Sequence, residues 1–226
     1  RNATASPYSA VWKWSDATVK CVSPERFVKI SNNNSHLAIE TKPIKGTLRR
    51  GKSVTEDKKN AEKLQNSAKD RAENLMIVDL LRNDISKNCI PGTVKVPRLF
   101  ALESFPNVHH LVSTIVGQIE SNRTPLGVLR DCFPGGSITG APKKRAMEII
   151  EELEPVKRSV YCGSIGYISA NNQVDTNIAI RTVIACESTL HCWGGGGIIA
   201  DSQAESEFDE SLTKINIILK TLEQTI

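Results

Sequence analysis

Several polar residues are spaced so that they could act together. Glu207, Glu210 and Lys214 fall at i, i+3 and i+7 of the last segment and share one helix face. Such a face is either solvated or brings two carboxylates and an ammonium to one spot. Glu73, Asp79, Arg82, Asn83 and Asp84 crowd around the apolar run Leu75-Met76-Ile77-Val78. Carboxylates in a segment fit for burial need a cation or hydrogen-bond donors, so an oxygen-ligated metal and an ion-paired helix are both open. Gly135-Gly136-Ser137-Ile138-Thr139-Gly140-Ala141-Pro142 sets a glycine-rich turn with two hydroxyls before a helix, where free backbone N–H groups suit an anion or the turn merely caps. Its lysine follows Pro142, which excludes the spacing of a nucleotide-binding P-loop.

Four successive glycines, Gly194 to Gly197, either let a ligand approach the backbone or make a plain loop. Lys45 lies at a strand end between Pro43 and Gly46, as a solvated amine or a nucleophile. His109-His110 reads as a core or capping pair, or as the source of one acid–base imidazole. Glu25, in Ser23-Pro24-Glu25-Arg26, either pairs with an arginine or serves as an acid.

These residues must be held by elements that the hydrophobic pattern outlines. Alternation over Thr18–Val22, Arg26–Ile30 and His36–Thr41, broken at Ser-Pro and at Asn32-Asn33-Asn34, predicts an antiparallel meander. Glu56–Asn83 predicts one long helix or two in series, with Thr55 as N-cap. Val108–Ile119 and Leu126–Cys132 carry shorter helical patterns. A helix starting at Pro142 has Ala146, Ile149, Ile150 and Leu153 as a stripe that must face a core. Val160–Ser169, Asn177–Cys186 and Thr189–Trp193 read as adjacent strands. Ser202 with Glu205 forms a capping box before a last helix striped by Phe208, Leu212, Ile215, Leu219 and Leu222. The class is α+β, with antiparallel sheet backed by helices.

The composition is that of a globular protein: 226 residues, 39% hydrophobic and 24% charged. A net charge of +4 is too diffuse for a nucleic-acid footprint but admits a small anionic ligand. No stretch has the apolar length of a membrane helix, and the first 20 residues lack a signal-peptide layout, so a cytoplasmic protein with neither membrane nor nucleic-acid partners is expected. Six cysteines without metal spacing read as reduced, mostly buried thiols. Methionine occurs only at 76 and 147, so the chain reads as a piece of a longer polypeptide.

Taken in order, Ser-Pro-Glu-Arg-Phe at 23–27, Pro-Ile-Lys-Gly-Thr at 43–47 and Asp-Arg-Ala-Glu-Asn-Leu-Met-Ile-Val-Asp-Leu-Leu-Arg-Asn-Asp at 70–84 resemble the chorismate-utilising enzymes. His-His-Leu-Val-Ser-Thr at 109–114, Pro-Gly-Gly-Ser-Ile-Thr-Gly-Ala-Pro-Lys at 134–143 and the glycine run followed by Ala-Asp-Ser at 200–202 extend the resemblance from about Pro7 to Leu222. It implies the C-terminal half of an anthranilate-synthase-like α/β sandwich, residues 1–226 forming a chorismate-binding catalytic domain.

Anthranilate synthases carry alanine where this chain has Lys45. The lysine implies the branch that replaces the 4-hydroxyl of chorismate with ammonia, giving 4-amino-4-deoxychorismate for p-aminobenzoate and folate synthesis with pyruvate retained. The resemblance assigns Lys45 as nucleophile and Glu25 as the acid that protonates the leaving hydroxyl. His110 matches a family histidine near the reacting ring, linked mainly to an elimination this branch omits. Mg²⁺ is implied, held by Glu73 and Glu210 with Glu207 in support. Ser137, Tyr161, Arg181, Lys214 and the N–H groups of Gly195, Gly196 and Gly197 would hold the substrate carboxylates. Pro7-Tyr8-Ser9 resembles part of a tryptophan pocket. A glutamine amidotransferase subunit, in a heterodimer, would deliver the ammonia. The alternatives are an anthranilate synthase component I and a truncated, non-catalytic chorismate-binding fragment.

Overall fold

The computed structural model describes residues 6–32 and 36–224, which form two compact units. Of the described residues, unit 1 comprises 6–25, 155–166 and 177–224, and unit 2 comprises 26–32, 36–154 and 167–176. Asn33 and Asn34, predicted to break the strands, lie outside the described residues.

Unit 1 is built on β1 (Tyr8–Lys13), β2 (Ala17–Ser23), β10 (Thr182–Cys186) and β11 (Thr189–Cys192), all antiparallel in the order β1-β2-β10-β11. Helix α5 (Ala204–Glu223) belongs to the same unit. Unit 2 contains β3 (Arg26–Asn32), β4 (Leu37–Thr41), β5 (Ile44–Arg49), β6 (Lys95–Ser104) and β7 (Val108–Gln118), together with β8 (Gly166–Ile168) and β9 (Val174–Asn177). Their order is β5-β7-β4-β3-β9-β8, and β6 pairs with β7. Helices α1 (Val54–Gln65), α2 (Ala68–Ser86), α3 (Pro125–Cys132) and α4 (Lys143–Leu153) complete it. The expected α+β class with antiparallel sheets is what the chain forms.

The predicted helix at Val108–Ile119 is the strand β7. Eight of its eleven residues are buried, so the polar alternation that marks a strand is missing and the pattern fits either element. β-Branched residues at 108, 112, 114, 115 and 116 decide for the sheet. The three strands over 18–41 form, but not as one meander: β2 pairs with β10, and β3 with β4, after Pro24 interrupts the chain.

The region 54–86 is two helices, capped by Ser53, which accepts from the Glu56 N–H, and by Ser67, which accepts from the Asp70 N–H. Thr55 lies inside the first. Strands β1 and β6 carry no clear alternation and escape sequence reading. Of Val160–Ser169 only 166–168 is strand, because Ser159 and Cys162 adopt left-handed φ values of 52° and 65°.

Helix α4 starts one residue later than expected, with Pro142 extended at its N-cap, and buries no residue. Its apolar stripe is open, with Leu153 71% exposed. Helix α5 buries Ile215 and Ile218, while Phe208 and Leu212 stay exposed. Gln203 is its N-cap, so the Ser202–Glu205 capping box does not form. Cys21, Cys89, Cys132 and Cys162 are buried thiols in no disulfide, and Cys186 and Cys192 are half-buried. Among the described residues no helix is long and apolar enough to cross a membrane.

Candidate functional site

In unit 2 the ladder between β5 and β7 pairs Ile44 with Val112 but Thr47 with His110. Lys45 and Gly46 therefore together oppose Leu111, a bulge that re-aims the strand at the lysine. Gly46 has φ 82°, and a Cβ there would lie 2.9 Å from Asp70 Cγ and from Leu64 Cδ1. Only glycine tolerates both the backbone angle and the two helices above it. Lys42, three residues earlier, is committed to Glu103 at 2.5 Å.

Side chains alternate along β7, so 109, 111 and 113 share one face and 108, 110 and 112 the other. His109 Nε2 lies 3.1 Å from Asp57 Oδ1 on α1, and its Nδ1 lies 2.8 Å from Ser104 Oγ. Arg50 holds the Asp57 carboxylate bidentately at 2.7 Å, helped by the Gly51 N–H and by His109, and keeps its pKa far below the ordinary range. His110, on the opposite face, has Nδ1 2.8 Å from Thr47 Oγ1 and meets the Phe105 ring edge-to-face at 5.4 Å.

Glu73 is half-buried on α2. The carboxylates predicted around it separate. Asp84 is buried and takes two ammonium groups, Lys143 at 2.6 Å and Lys87 at 3.2 Å, while Asp79 stands exposed with Arg82 at 3.5 Å. Lys143 Nζ also donates to the Cys132 carbonyl at 3.2 Å, so it ties the ends of α2 and α3 to the start of α4. The loop bearing Ser137 is thus clamped behind, and in front Gly136 sits where a Cβ would come 2.7 Å from Leu80. Sequence reading missed this Asp84–Lys143 pair, since nothing in the spacing links residues so far apart.

In unit 1 two of the predicted anion-binding side chains, Tyr161 and Lys214, lie against the glycine loop. A Cβ on Gly195 would lie 2.9 Å from the Tyr161 hydroxyl, and one on Gly196 would lie 3.3 Å from Glu207 Oε2 and 3.5 Å from Lys214 Nζ. Lys214 donates to the Gly195 carbonyl at 3.2 Å and pairs with Glu210 at 2.7 Å. Gly197 continues the same loop. Ser202 donates to Glu207 at 2.6 Å, the use of its hydroxyl that replaces the expected capping box. Trp193 stacks on Tyr161 at 6.2 Å and 9°, a support that sequence reading did not identify.

Arg181 adopts φ 52° at the start of β10, and burial lowers its pKa. Glu25, 8% exposed, is placed by its own N–H on Ser23 Oγ at 3.1 Å and by the Ile178 N–H on its carbonyl at 3.1 Å. Pro7-Tyr8-Ser9 leads into β1, where Asn177 Nδ2 holds the Tyr8 carbonyl at 2.9 Å and Ser9 Oγ donates to the Ser6 carbonyl. Among the described residues no three His, Cys, Asp or Glu side chains form a ready-made cation cluster. Glu207 and Glu210 offer two hard oxygen donors from one turn of α5.

The family model for "chorismate binding enzyme" matches residues 1–220. The chain belongs to the chorismate binding enzyme family. Within this family it is 53% identical over 221 residues to "Aminodeoxychorismate synthase component 1" of Salmonella typhimurium, covering 98% of this chain and 48% of that protein. It is 42% identical over 218 residues to "Anthranilate synthase component 1" of Saccharolobus solfataricus, covering 96% and 51%. Among solved structures, anthranilate synthase component I from Streptococcus pneumoniae superposes with a TM-score of 0.84 at 36% identity, over 96% of this chain and 47% of that one. The family resemblance read from the motifs is therefore borne out, as is the shared fold. The chain spans about half the length of the curated relatives it matches.

Proposed function

We propose that this chain carries the chorismate site of an aminodeoxychorismate synthase component 1, which exchanges the C4 hydroxyl of chorismate for ammonia. The observation that carries the reading is Lys45, set on a glycine bulge of β5 in the motif that separates amination from anthranilate formation. The greater identity to an aminodeoxychorismate synthase than to an anthranilate synthase agrees with it.

In the proposed reaction the unprotonated Lys45 amine forms a bond to C2 of the ring, both ring double bonds shift by one position, from C1=C2 to C1=C6 and from C5=C6 to C4=C5, and the C4–O bond breaks. Glu25 gives its proton to the departing hydroxyl, which leaves as water, since hydroxide is a poor leaving group. Ammonia then bonds to C4, both double bonds shift back, and the Lys45 amine is released at C2. One proton lost by the incoming nitrogen returns to Glu25. Two displacements replace one difficult substitution.

Arg181 and Tyr161 suit the substrate carboxylates, the arginine through its planar fork. Lys214, with the N–H groups of Gly195 to Gly197 and Ser137, supplies further donors, and His110 lines the ring. Glu73, Glu210 and Glu207 are hard oxygen donors that fit Mg²⁺, and water and substrate oxygens would complete the shell. When bound, Mg²⁺ would neutralise the ring carboxylate. Glu210 now pairs with Lys214, and a cation held by Glu210 would weaken that pair and leave the ammonium more available to substrate. A glutamine amidotransferase partner would deliver the ammonia, and Pro7 to Ser9 would contribute to a tryptophan pocket.

The test is a mass-resolved assay of the full-length protein with chorismate, Mg²⁺ and ammonium, following 4-amino-4-deoxychorismate and anthranilate separately. The aminated product alone is expected. Anthranilate with released pyruvate would overturn the assignment of Lys45 to the branch point.

A further inference from the structure

Two side chains outside the predicted set join the helix bearing Glu73 to β7, the strand paired with the one bearing Lys45. Asn74 and Ser113 both have 0% exposure. The Ser113 hydroxyl donates to Asn74 Oδ1 at 2.5 Å, and Asn74 Nδ2 donates to the Leu111 carbonyl at 3.4 Å. Ser113 Oγ accepts from the Phe100 N–H at 3.1 Å, while the Ser113 N–H donates to the Pro43 carbonyl at 3.2 Å.

The positions of these bonds are informative. Because the Ser113 N–H points to Pro43, Leu111, two residues back, turns its peptide groups to the same edge of β7. At that edge Leu111 faces the two bulged residues Lys45 and Gly46. A bulge disrupts the ladder, and Asn74 supplies the Leu111 carbonyl with a donor. On the other edge β6 also slips, pairing Arg98 with Thr114 and Ala101 with Val112, so that Leu99 and Phe100 oppose Ser113. Phe100 is left-handed there, at φ 54°, and its N–H goes to the Ser113 hydroxyl. One buried amide–hydroxyl pair thus serves both bulges. Asn74 directly follows Glu73, and successive helix residues are about 100° apart. Anchoring Asn74 therefore fixes the direction in which Glu73 leaves α2.

We propose that Asn74 and Ser113 are positioning residues, holding the Lys45 bulge and the Glu73 turn of α2 in one fixed relation. Amine and carboxylate then meet a single substrate in one geometry. The inference rests on the roles given to Lys45 and Glu73 above.

Ser113→Ala and Asn74→Leu remove the polar bonds with little change of volume, and Ser113→Thr retains the hydroxyl. In the full-length protein with chorismate, Mg²⁺ and ammonium, the first two are expected to lower kcat by about 10- to 100-fold, with KM for chorismate within about threefold. Ser113→Thr should recover kcat to within about threefold of the wild type.

A second readout needs no turnover: acylation of Lys45 relative to the exposed Lys52, read by peptide mass spectrometry. This ratio should shift by about threefold or more in Ser113→Ala and Asn74→Leu and return in Ser113→Thr. An unchanged kcat and labelling ratio in both, or equal losses in Ser113→Ala and Ser113→Thr, overturns the proposal. Should the wild type form no aminated product, the functional reading falls and the labelling ratio alone decides the positioning role. Circular dichroism identifies a misfolded variant, and Ser113→Ala, which removes one oxygen, then carries the test.

Discussion

His109 and His110 are neighbours in sequence but leave β7 on opposite faces, His109 toward Asp57 on α1 and His110 toward Thr47 on β5. His109 is 3% exposed and has both ring nitrogens occupied by Asp57 and Ser104, so it braces α1 against the sheet. His110 shares the face of its register partner Thr47, two residues beyond Lys45. An alternating strand thereby sends two identical side chains to different partners on its two faces.

Replacing Lys45 tests the nucleophile directly. Lys45→Ala should lower amination by on the order of 10³-fold or more, and anthranilate should become detectable as the motif comes to match the other branch. Product analysis by mass spectrometry checks both. Undiminished amination would remove Lys45 from a covalent role.

The carboxylate assignment predicts a change in cation demand. Glu73→Gln and Glu210→Gln should each raise the Mg²⁺ concentration needed for half-maximal chorismate binding by about 10-fold or more, since a charged oxygen ligand is lost. Isothermal titration at fixed chorismate measures this. An unchanged Mg²⁺ dependence in both variants would dismiss these ligands.

Adjacent glycines should answer differently to the same methyl group. A Cβ on Gly194 meets the Ser211 carbonyl at 2.9 Å and Ile215 at 3.1 Å, so Gly194→Ala should cost about 1–3 kcal/mol, seen as a lowered Tm. A Cβ on Gly195 meets the movable Tyr161 hydroxyl at 2.9 Å, so Gly195→Ala should weaken chorismate binding while Tm changes little. The reverse order would place the substrate contact elsewhere.

Acid stability should register the Arg50–Asp57 pair. Asp57 has its pKa depressed, chiefly by Arg50 and then by the Gly51 N–H, so the unfolded chain takes up a proton at a higher pH than the folded one. Its contribution is complete above the ordinary aspartate range near about pH 4 and declines as pH falls toward the depressed value. Urea midpoints should therefore drop more steeply in the wild type than in Asp57→Asn as pH is lowered from about 5 to 3. Parallel slopes would show that the pair adds nothing.

The motifs were legible because each is local: Lys45 between Pro43 and Gly46, the glycine loop and the face of Glu207, Glu210 and Lys214 are short patterns with a physical reason, while the bulge at 45–46 showed only in the ladder. Strand β7 was not, because burial on both faces erases the alternation that distinguishes a strand from a helix. The stripe of α4 misled in the opposite sense, since a helical period shows which residues align and not what covers them. The partners of Asp84 and Asn74 were hidden because Lys143 and Ser113 are 59 and 39 residues away, and only the fold brings them together.

Unit 1 draws on three separated stretches of chain, and its sheet is joined where Cys21 of β2 pairs with Thr182 of β10. On a ribosome adding about 5–20 residues each second, β10 is made on the order of 10–30 s after β2. The long contiguous stretch of unit 2, residues 26–154, is completed within that interval. Synthesis therefore imposes an order of assembly, in which the sheet beside the glycine loop closes only after the strand carrying Lys45 has had its own partners.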